Sequence, residues 1–350
     1  MVKVVTKEVF QKFVDDLISN DPRDVVGVQS KDGRYVFDDL KKAEDLALDY
    51  DVTILPPKKY FMPQRETILK YQEEGSNFSI EPTLEVKPRI VIGIHPYDLI
   101  AIRQMDKVFS DLYEDEYYLE KRKQCILIGV NMQNVSERSF AASMGTATTD
   151  SGYDLMLTDL GEKYAVEIGS KKGSELLKSL ECRNATSREV EEVQKVGEEL
   201  KGKFQKQLNF SPQELPTILE ENYDNMDFWE KNSETCYSCV TCNLVCPTCY
   251  CFDVKDVNEI TMDGGKRVRE WDGCLRENFA VVASGENFRP SRAERYRHRF
   301  MRKGRYLYEK YGDIACVGCG RCASQCLPDI ADPSRIYNEL KEEGVTSSEG

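Results

Sequence analysis

The first half of the chain combines strand-like and helical patterns of apolar residues. Two nearly continuous apolar runs, Ile90–Ile94 and Cys125–Val130, have the length and composition of buried strands. Residues 98–112 between them carry apolar side chains at helical spacing, so this stretch predicts a β–α–β unit. The dipeptide Asp32-Gly33 between two short strand-like runs is typical of a hairpin turn. We therefore predict a mixed α/β domain over residues 1–185.

From residue 186 onward the pattern becomes mainly helical. Ser187 can cap a helix whose apolar residues line one side as far as Leu208, which predicts a bridging helix within residues 186–211. The remaining residues, 212–350, include a long helical stretch at Arg289–Tyr311. The predicted fold class is thus α+β, with the N-terminal α/β domain followed by a mainly helical domain.

Two runs of cysteines with the same C-x2-C-x2-C-x3-C spacing lie in this last part. The first run is Cys236, Cys239, Cys242 and Cys246, followed by a proline, and the second is Cys316, Cys319, Cys322 and Cys326. This spacing is the bacterial ferredoxin pattern for [4Fe–4S] clusters, in which the fourth cysteine of each run ligates the other cluster. We therefore predict two clusters, one bound by Cys236, Cys239, Cys242 and Cys326, and the other by Cys316, Cys319, Cys322 and Cys246. Residues 212–350 are therefore predicted to form a mainly helical, ferredoxin-like dicluster domain. A chain with two such clusters is predicted to transfer electrons.

Disulfides and structural zinc explain the two runs less well. A chain of 350 residues can bury an ample core and does not need disulfide staples. Zinc prefers four ligands as two separated pairs, whereas each run here supplies four closely spaced cysteines.

Three further cysteines, Cys249, Cys251 and Cys274, lie close to the first run in sequence or in the same domain. They are candidates for a third metal site, and an incomplete site of this kind would make the chain a catalytic iron–sulfur subunit with an open iron. The alternative is that they pack around the two clusters as thiols. Cys125 and Cys182 are predicted to be ordinary core or inert residues.

Composition and charge narrow the class of protein. The net charge of −13 argues against nucleic-acid binding, and no apolar stretch is long enough for a membrane span. The N-terminus reads as an amphipathic helix rather than a signal peptide, which together with many reduced cysteines predicts a cytoplasmic protein. Eight basic residues between Asn287 and Tyr306 form either a solvated or salt-bridged helix face, a docking surface for an acidic partner, or a source of positive potential at the clusters.

The sequence contains no recognisable nicotinamide, flavin or nucleophile motif. Of the two histidines, His95 fits a structural role better than a catalytic one. Electrons must therefore enter from one subunit and leave to another, and a non-catalytic electron-transfer component is a better prediction than an enzyme by itself.

Several longer motifs resemble one family along nearly the whole chain. They are LDYDVTILPPKKYF at Leu48–Phe61, IGIHPYDL at Ile92–Leu99, SMGT at Ser143–Thr146, CPTCYC at Cys246–Cys251 and ENFRPSRAERYRHRF at Glu286–Phe300. The chain resembles the β subunit of cytoplasmic NAD(P)-linked [NiFe] hydrogenases, the sulfhydrogenases, and is similar to the A subunit of anaerobic sulfite reductase. The resemblance implies a subunit that passes electrons between a flavin subunit that binds NAD(P)H and a catalytic subunit. It also implies that the eight cysteines assigned above bind two [4Fe–4S] clusters.

The chain departs from this family pattern in its N-terminal domain. Cysteines of the family are replaced by Tyr97, by the Met132–Gln133 region, by Ser139 and by Ala141. The joint absence of four thiolates predicts that this member lacks an additional N-terminal cluster. A further family cysteine is missing near Arg302, which weakens the case for a third site that includes Cys274.

Overall fold

The computed structural model describes residues 2–75, 77–261 and 263–348. The strands in chain order are β1 (Val2–Thr6), β2 (Asp24–Lys31), β3 (Arg34–Asp39), β4 (Arg65–Glu74), β5 (Asn77–Pro82), β6 (Arg89–Ile94), β7 (Cys125–Val130), β8 (Leu155–Asp159), β9 (Lys163–Ile168), β10 (Arg183–Asn184), β11 (Phe252–Asn258) and β12 (Gly264–Trp271). The α-helices are α1 (Lys7–Asn20), α2 (Pro96–Phe109), α3 (Glu116–Lys123), α4 (Lys171–Leu176), α5 (Ser187–Lys201), α6 (Leu215–Glu221), α7 (Met226–Ser233), α8 (Thr241–Leu244), α9 (Arg292–Met301), α10 (Leu307–Tyr311), α11 (Arg321–Ser324) and α12 (Pro333–Ser348).

The N-terminal half is built on one eight-stranded sheet in the order β10-β1-β9-β8-β7-β6-β2-β3. Its centre is parallel, since β2 pairs with β6, β6 with β7 and β7 with β8 in that sense. The predicted β–α–β unit is confirmed as β6, α2 and β7. The hairpin is also confirmed, because Asp32 and Gly33 take left-handed backbone angles between β2 and β3.

A second sheet joins distant parts of the chain, and the sequence analysis missed it. The hairpin β11–β12 follows the first cysteine run, yet β12 pairs with β4 to give the order β11-β12-β4-β5. These strands are rich in charged residues, and ion pairs such as Arg267 with Asp256 connect them. Because the signal for a buried strand is an apolar run, strands with this composition are hard to recognise.

The bridging helix is shorter than predicted. Thr186 rather than Ser187 caps it, and its side chain exchanges hydrogen bonds with Glu189 as a capping box. The helix ends at Lys201 and is followed by Gly202, although the apolar spacing continues to Leu208. Downstream, α9 and α10 are joined by a π-helical turn at Arg302–Tyr306. The predicted division at residues 185 and 211 stays a prediction.

The apolar core has three parts. The largest covers the eight-stranded sheet, and a second lies among α6, α7, α9 and α12 around Trp229 and Phe300. The third is small and connects the two, since it groups Tyr97 and Ala141 with Val317 and Cys319 of the second cysteine run. This third cluster places the second run directly against the N-terminal part of the chain.

Candidate iron–sulfur site

The two cysteine runs form loops with the same backbone path. We call residues 236–246 the first cysteine loop and residues 316–326 the second cysteine loop. Two residues after the first cysteine the backbone is left-handed, at Ser238 (φ 52°) and Gly318 (φ 65°). It is left-handed again two residues later, at Val240 (φ 58°) and Gly320 (φ 81°), and each loop then enters a single helical turn, α8 or α11.

The loops differ in what covers them. Residues 138–146, the covering segment, pack on the second cysteine loop, where the Phe140 backbone N–H and the Ser139 hydroxyl both donate to the carbonyl of Gly318. Val317 is consequently only 2% exposed, whereas Tyr237 at the same place in the first loop is 70% exposed. Cys239 is exposed as well.

The structure brings Cys246, from the first run, close to the cysteines of the second. Burial, together with the nearby negative charge of Cys246, raises the pKa of Cys316, Cys319 and Cys322 to about 12 each. Cys246 therefore lies near the first three cysteines of the other run, and the crossed ligand pattern stays a prediction.

The first three cysteines of the first run differ in exposure, since Cys236 and Cys242 are buried and Cys239 is exposed. Burial raises the pKa of the Cys242 thiol to about 12, and Cys236 and Cys322 add to this shift. Cys326 packs against the same apolar cluster as Cys242. Cys239 lies at the surface.

Buried cations surround these thiols. Among the eight basic residues of the stretch, only Arg292 is exposed, while Arg295, Arg299 and Lys303 are buried. The stretch is therefore not a wholly solvated face, although Arg305 is salt-bridged to Glu220 and Glu309. Burial lowers the pKa of Arg299, but the charges of Cys242 and Cys322 more than offset this and raise the pKa above its usual range.

These cations show that the site suits an anionic cofactor. One guanidinium nitrogen of Arg299, Nη1, is buried without a hydrogen-bond partner, and within the described part of the chain no carboxylate pairs with this side chain. An uncompensated buried charge is costly. Four thiolates on an iron–sulfur cluster supply the negative charge that this arginine lacks, so the residues present fit the predicted clusters.

The three additional thiols also come together. The side-chain amide of Asn243 donates to Cys249 Sγ at 3.7 Å and to Cys274 Sγ at 3.4 Å. Burial raises the pKa of Cys251 to about 11, and Cys274 contributes to the shift. In the ranges that the structure describes, no three histidine, cysteine or acidic side chains are arranged to hold a single metal ion. An iron–sulfur cluster needs wider spacing than one ion, because each thiolate binds a different iron.

The remaining cysteines lie in the apolar core or at its edge. Cys125 is buried on β7, and Cys182 is half-buried against the same core.

The positions where the sequence analysis expects the family's cysteines to be missing meet at the second cysteine loop. Tyr97, Met132 and Ala141 belong to the small apolar cluster that also holds Cys319, and Ser139 hydrogen-bonds to this loop. The space around these positions is thus filled by packed side chains.

Two buried charged groups near the cysteines escaped the sequence analysis. Arg321 of the second loop forms a two-pronged ion pair with Asp98 at the start of α2. Lys58, in the short 3-10 helix Pro57–Tyr60, donates to the carbonyl of Cys249 at 2.8 Å. Sequence offers little signal for either contact, because the partners are 223 and 191 residues apart.

Comparison with known proteins agrees with this site. Residues 235–330 match the model of the 4Fe-4S dicluster domain. Over 320 residues the chain is 32% identical to sulfhydrogenase 2 subunit beta of Pyrococcus furiosus, which covers 91% of this chain and 92% of that protein. No solved structure matches the chain. None of the helices in the described ranges has the length and apolar character needed to cross a membrane. The chain therefore belongs to the family of sulfhydrogenase 2 subunit beta and is an iron–sulfur protein with a 4Fe-4S dicluster domain.

Proposed function

We propose that this chain is the electron-transfer subunit of a cytoplasmic oxidoreductase complex. It relays electrons between a flavin subunit that binds NAD(P)H and a catalytic subunit of hydrogenase or sulfite reductase type. One [4Fe–4S] cluster is held by Cys236, Cys239, Cys242 and Cys326, and the other by Cys316, Cys319, Cys322 and Cys246. The observation that carries the proposal is the approach of Cys246 to the second run beside an unpaired, buried Arg299.

Each [4Fe–4S] cluster supplies one-electron chemistry when it is bound. The chain's own residues supply the rest. Cys242 and Cys322 lie on neighbouring one-turn helices, α8 and α11, which contact each other. The covering segment and the Arg321–Asp98 pair bury residues 317–321 of the second loop. The exposed first loop leaves one side of the relay open to a partner.

The N-terminal domain has a structural role in this proposal. The positions where the resemblance implies cysteines are packed against the second cysteine loop, which supports the inference that this member lacks an additional N-terminal cluster. We propose that the domain shields the second loop instead.

The composition of the native complex tests the proposed function. Anaerobic purification through an affinity tag on this chain should recover a flavoprotein and a larger catalytic subunit, with about eight irons on this chain from two four-iron clusters. The isolated chain should not oxidise NAD(P)H. A chain that is iron-free after anaerobic, iron-replete expression, or that turns over NAD(P)H alone, would contradict the proposal.

A second candidate function is a catalytic iron–sulfur subunit with a third site at Cys249, Cys251 and Cys274. The convergence of Cys249 and Cys274 on Asn243 favours it. A third four-iron cluster would raise the iron content to about twelve per chain, and Cys274→Ala would lower it again. About eight irons in the intact protein, with no change in Cys274→Ala, would leave these three residues as free thiols.

A further inference from the structure

Lys58 reaches from the N-terminal part of the chain into the cluster domain. Its side chain is 3% exposed and lies over the Trp271 ring, with Nζ 4.3 Å from the ring centroid. Its ammonium donates to the carbonyl of Cys249, which follows the ligand Cys246 by three residues. Lys303 approaches the same place from α9 and α10, where its ammonium donates to the Thr248 hydroxyl at 2.8 Å.

Neither lysine has an acidic partner. In the part of the chain that the structure describes, no carboxylate forms an ion pair with Lys58 or Lys303. Other buried cations of the protein do have one, since Lys121 pairs with Glu66 and Arg321 with Asp98. Two unpaired ammonium groups at one buried place indicate that the compensating negative charge comes from the thiolates and from what they bind.

The surrounding charges distinguish the two proposed clusters. Thr248, which accepts from Lys303, is also 3.4 Å from Cys246 Sγ through its hydroxyl. Arg295 instead contacts Ser238 of the first loop, with 3.4 Å between its Nη2 and the hydroxyl. Arg299 interacts with Cys242 and Cys322, one cysteine from each cluster.

We propose that Lys58 and Lys303 raise the reduction potential of the cluster that Cys246 binds. This inference rests on the proposed function. One-electron reduction adds one negative charge to the cluster, without a proton, and a fixed positive charge at a buried position stabilises that added charge. Lys58 thus acts on the cluster through its positive charge and does not ligate it. It belongs to the N-terminal domain, whereas the cysteines that would hold the cluster belong to the C-terminal domain.

Lys58→Met tests the proposal because it removes the charge and keeps much of the side-chain volume. In anaerobic redox titrations of the intact protein followed by electron paramagnetic resonance, one cluster should become harder to reduce. A change of about tenfold in its reduction equilibrium corresponds to ~59 mV for a one-electron couple. The potential of the other cluster should stay unchanged, whereas Arg299→Met should lower both.

Two variants serve as controls. Lys59→Met alters the neighbouring lysine, which donates to the carbonyl of Phe37 and has no contact with a cysteine, so both potentials should match the wild type. Lys58→Arg keeps the charge and should keep the potential close to that of the wild type.

The outcomes separate this inference from the proposed function. Absence of iron from the wild-type chain would remove the proposed function itself. Full iron in Lys58→Met with two unchanged potentials would overturn only the inference. If Lys58→Met loses iron, the Lys58→Arg variant decides between the two explanations. Iron content and potential equal to those of the wild type in Lys58→Arg would support the role of the charge. Loss of iron in both variants would overturn the inference.

Discussion

The two cysteine loops share spacing and backbone path but differ in glycine content. Ser238 and Val240 adopt left-handed backbone angles in the first loop, so these angles alone do not demand glycine. At Gly318 an added Cβ would lie 2.8 Å from the Ala141 nitrogen, and at Gly320 it would lie 2.6 Å from the Arg138 carbonyl carbon. The second loop therefore needs glycine because the covering segment presses on its backbone. A position can therefore require glycine for two separate reasons, its backbone angles or the close approach of neighbouring atoms to its Cα.

The cover also gives the loops different environments. The second loop is covered by the covering segment, and its Arg321 forms the buried ion pair with Asp98. The first loop presents Tyr237 and Cys239 to solvent, and Leu327, which follows the remaining ligand of the same proposed cluster, is 90% exposed. The first loop is thus the more open end of the proposed relay, and the second loop is the more covered end.

The largest expected effect is that of removing a single cysteine ligand, which tests the crossed assignment of cysteines to clusters. Cys246→Ala should lose about half of the iron and should abolish the same paramagnetic signal as Cys319→Ala, although Cys246 belongs to the other run. Iron analysis and electron paramagnetic resonance measure both. Cys182→Ala is the control and should keep full iron. If Cys246→Ala instead removed the signal that Cys242→Ala removes, the crossed pairing would be wrong.

The steric demand on the second loop can be isolated with a matched pair of glycines. Gly312 and Gly320 have similar angles, φ 77° and 81°, but only Gly320 has atoms within 4 Å of an added Cβ. Gly312→Ala should cost about 1 kcal/mol of backbone strain. Gly320→Ala should cost a further ~1–3 kcal/mol from overpacking against the covering segment. Thermal unfolding of the iron-loaded protein compares the two, and equal costs would refute the role of the cover.

The two proposed clusters should lose iron at different rates because solvent reaches them to different extents. Because Cys239 is exposed and Cys319 is 7% exposed, a water-soluble oxidant with a chelator should release iron first from the cluster of the first loop. The order of signal loss can be followed by electron paramagnetic resonance and assigned with Cys319→Ala, which retains only that cluster. Simultaneous loss of both signals in the wild type would indicate that the difference in cover has no effect on access.

The smallest expected effect is a decrease in the free energy of unfolding at acidic pH, caused by His95 near the second cysteine loop. His95 is fully buried and stacks on Tyr50, and it hydrogen-bonds to Tyr97, whose ring lies near Arg321 of the second loop. Burial lowers the pKa of His95 well below its usual 6.5. Below pH 6.5 the unfolded chain therefore binds a proton that the folded chain does not, and the free energy of unfolding falls by up to ~1.4 kcal/mol per pH unit.

His95→Phe should flatten this dependence. Thermal unfolding of the variant and of the wild type is measured between pH 7.5 and about 5.5. Both proteins contain His298, so its contribution to the pH dependence cancels in the comparison. Parallel pH profiles would assign the acid sensitivity to other groups.

Much of the fold followed from local patterns. The strands β6 and β7 were recognisable because both faces are buried and their sequences are continuously apolar. The second sheet was not, since β11 and β12 carry cross-strand ion pairs in place of an apolar run. The bridging helix was predicted too long because apolar spacing continues beyond Gly202, where the helix has already ended.

The sequence by itself determined the chemistry, because ligand spacing within a run is a local property that chain connectivity enforces. It gave the cysteines, the cluster type and the family resemblance. Only the tertiary structure decided which loop is covered, which basic residues are buried, and that Lys58 lies beside Cys249. Such contacts join residues far apart in the chain, and they depend on how whole elements pack rather than on any short stretch of residues.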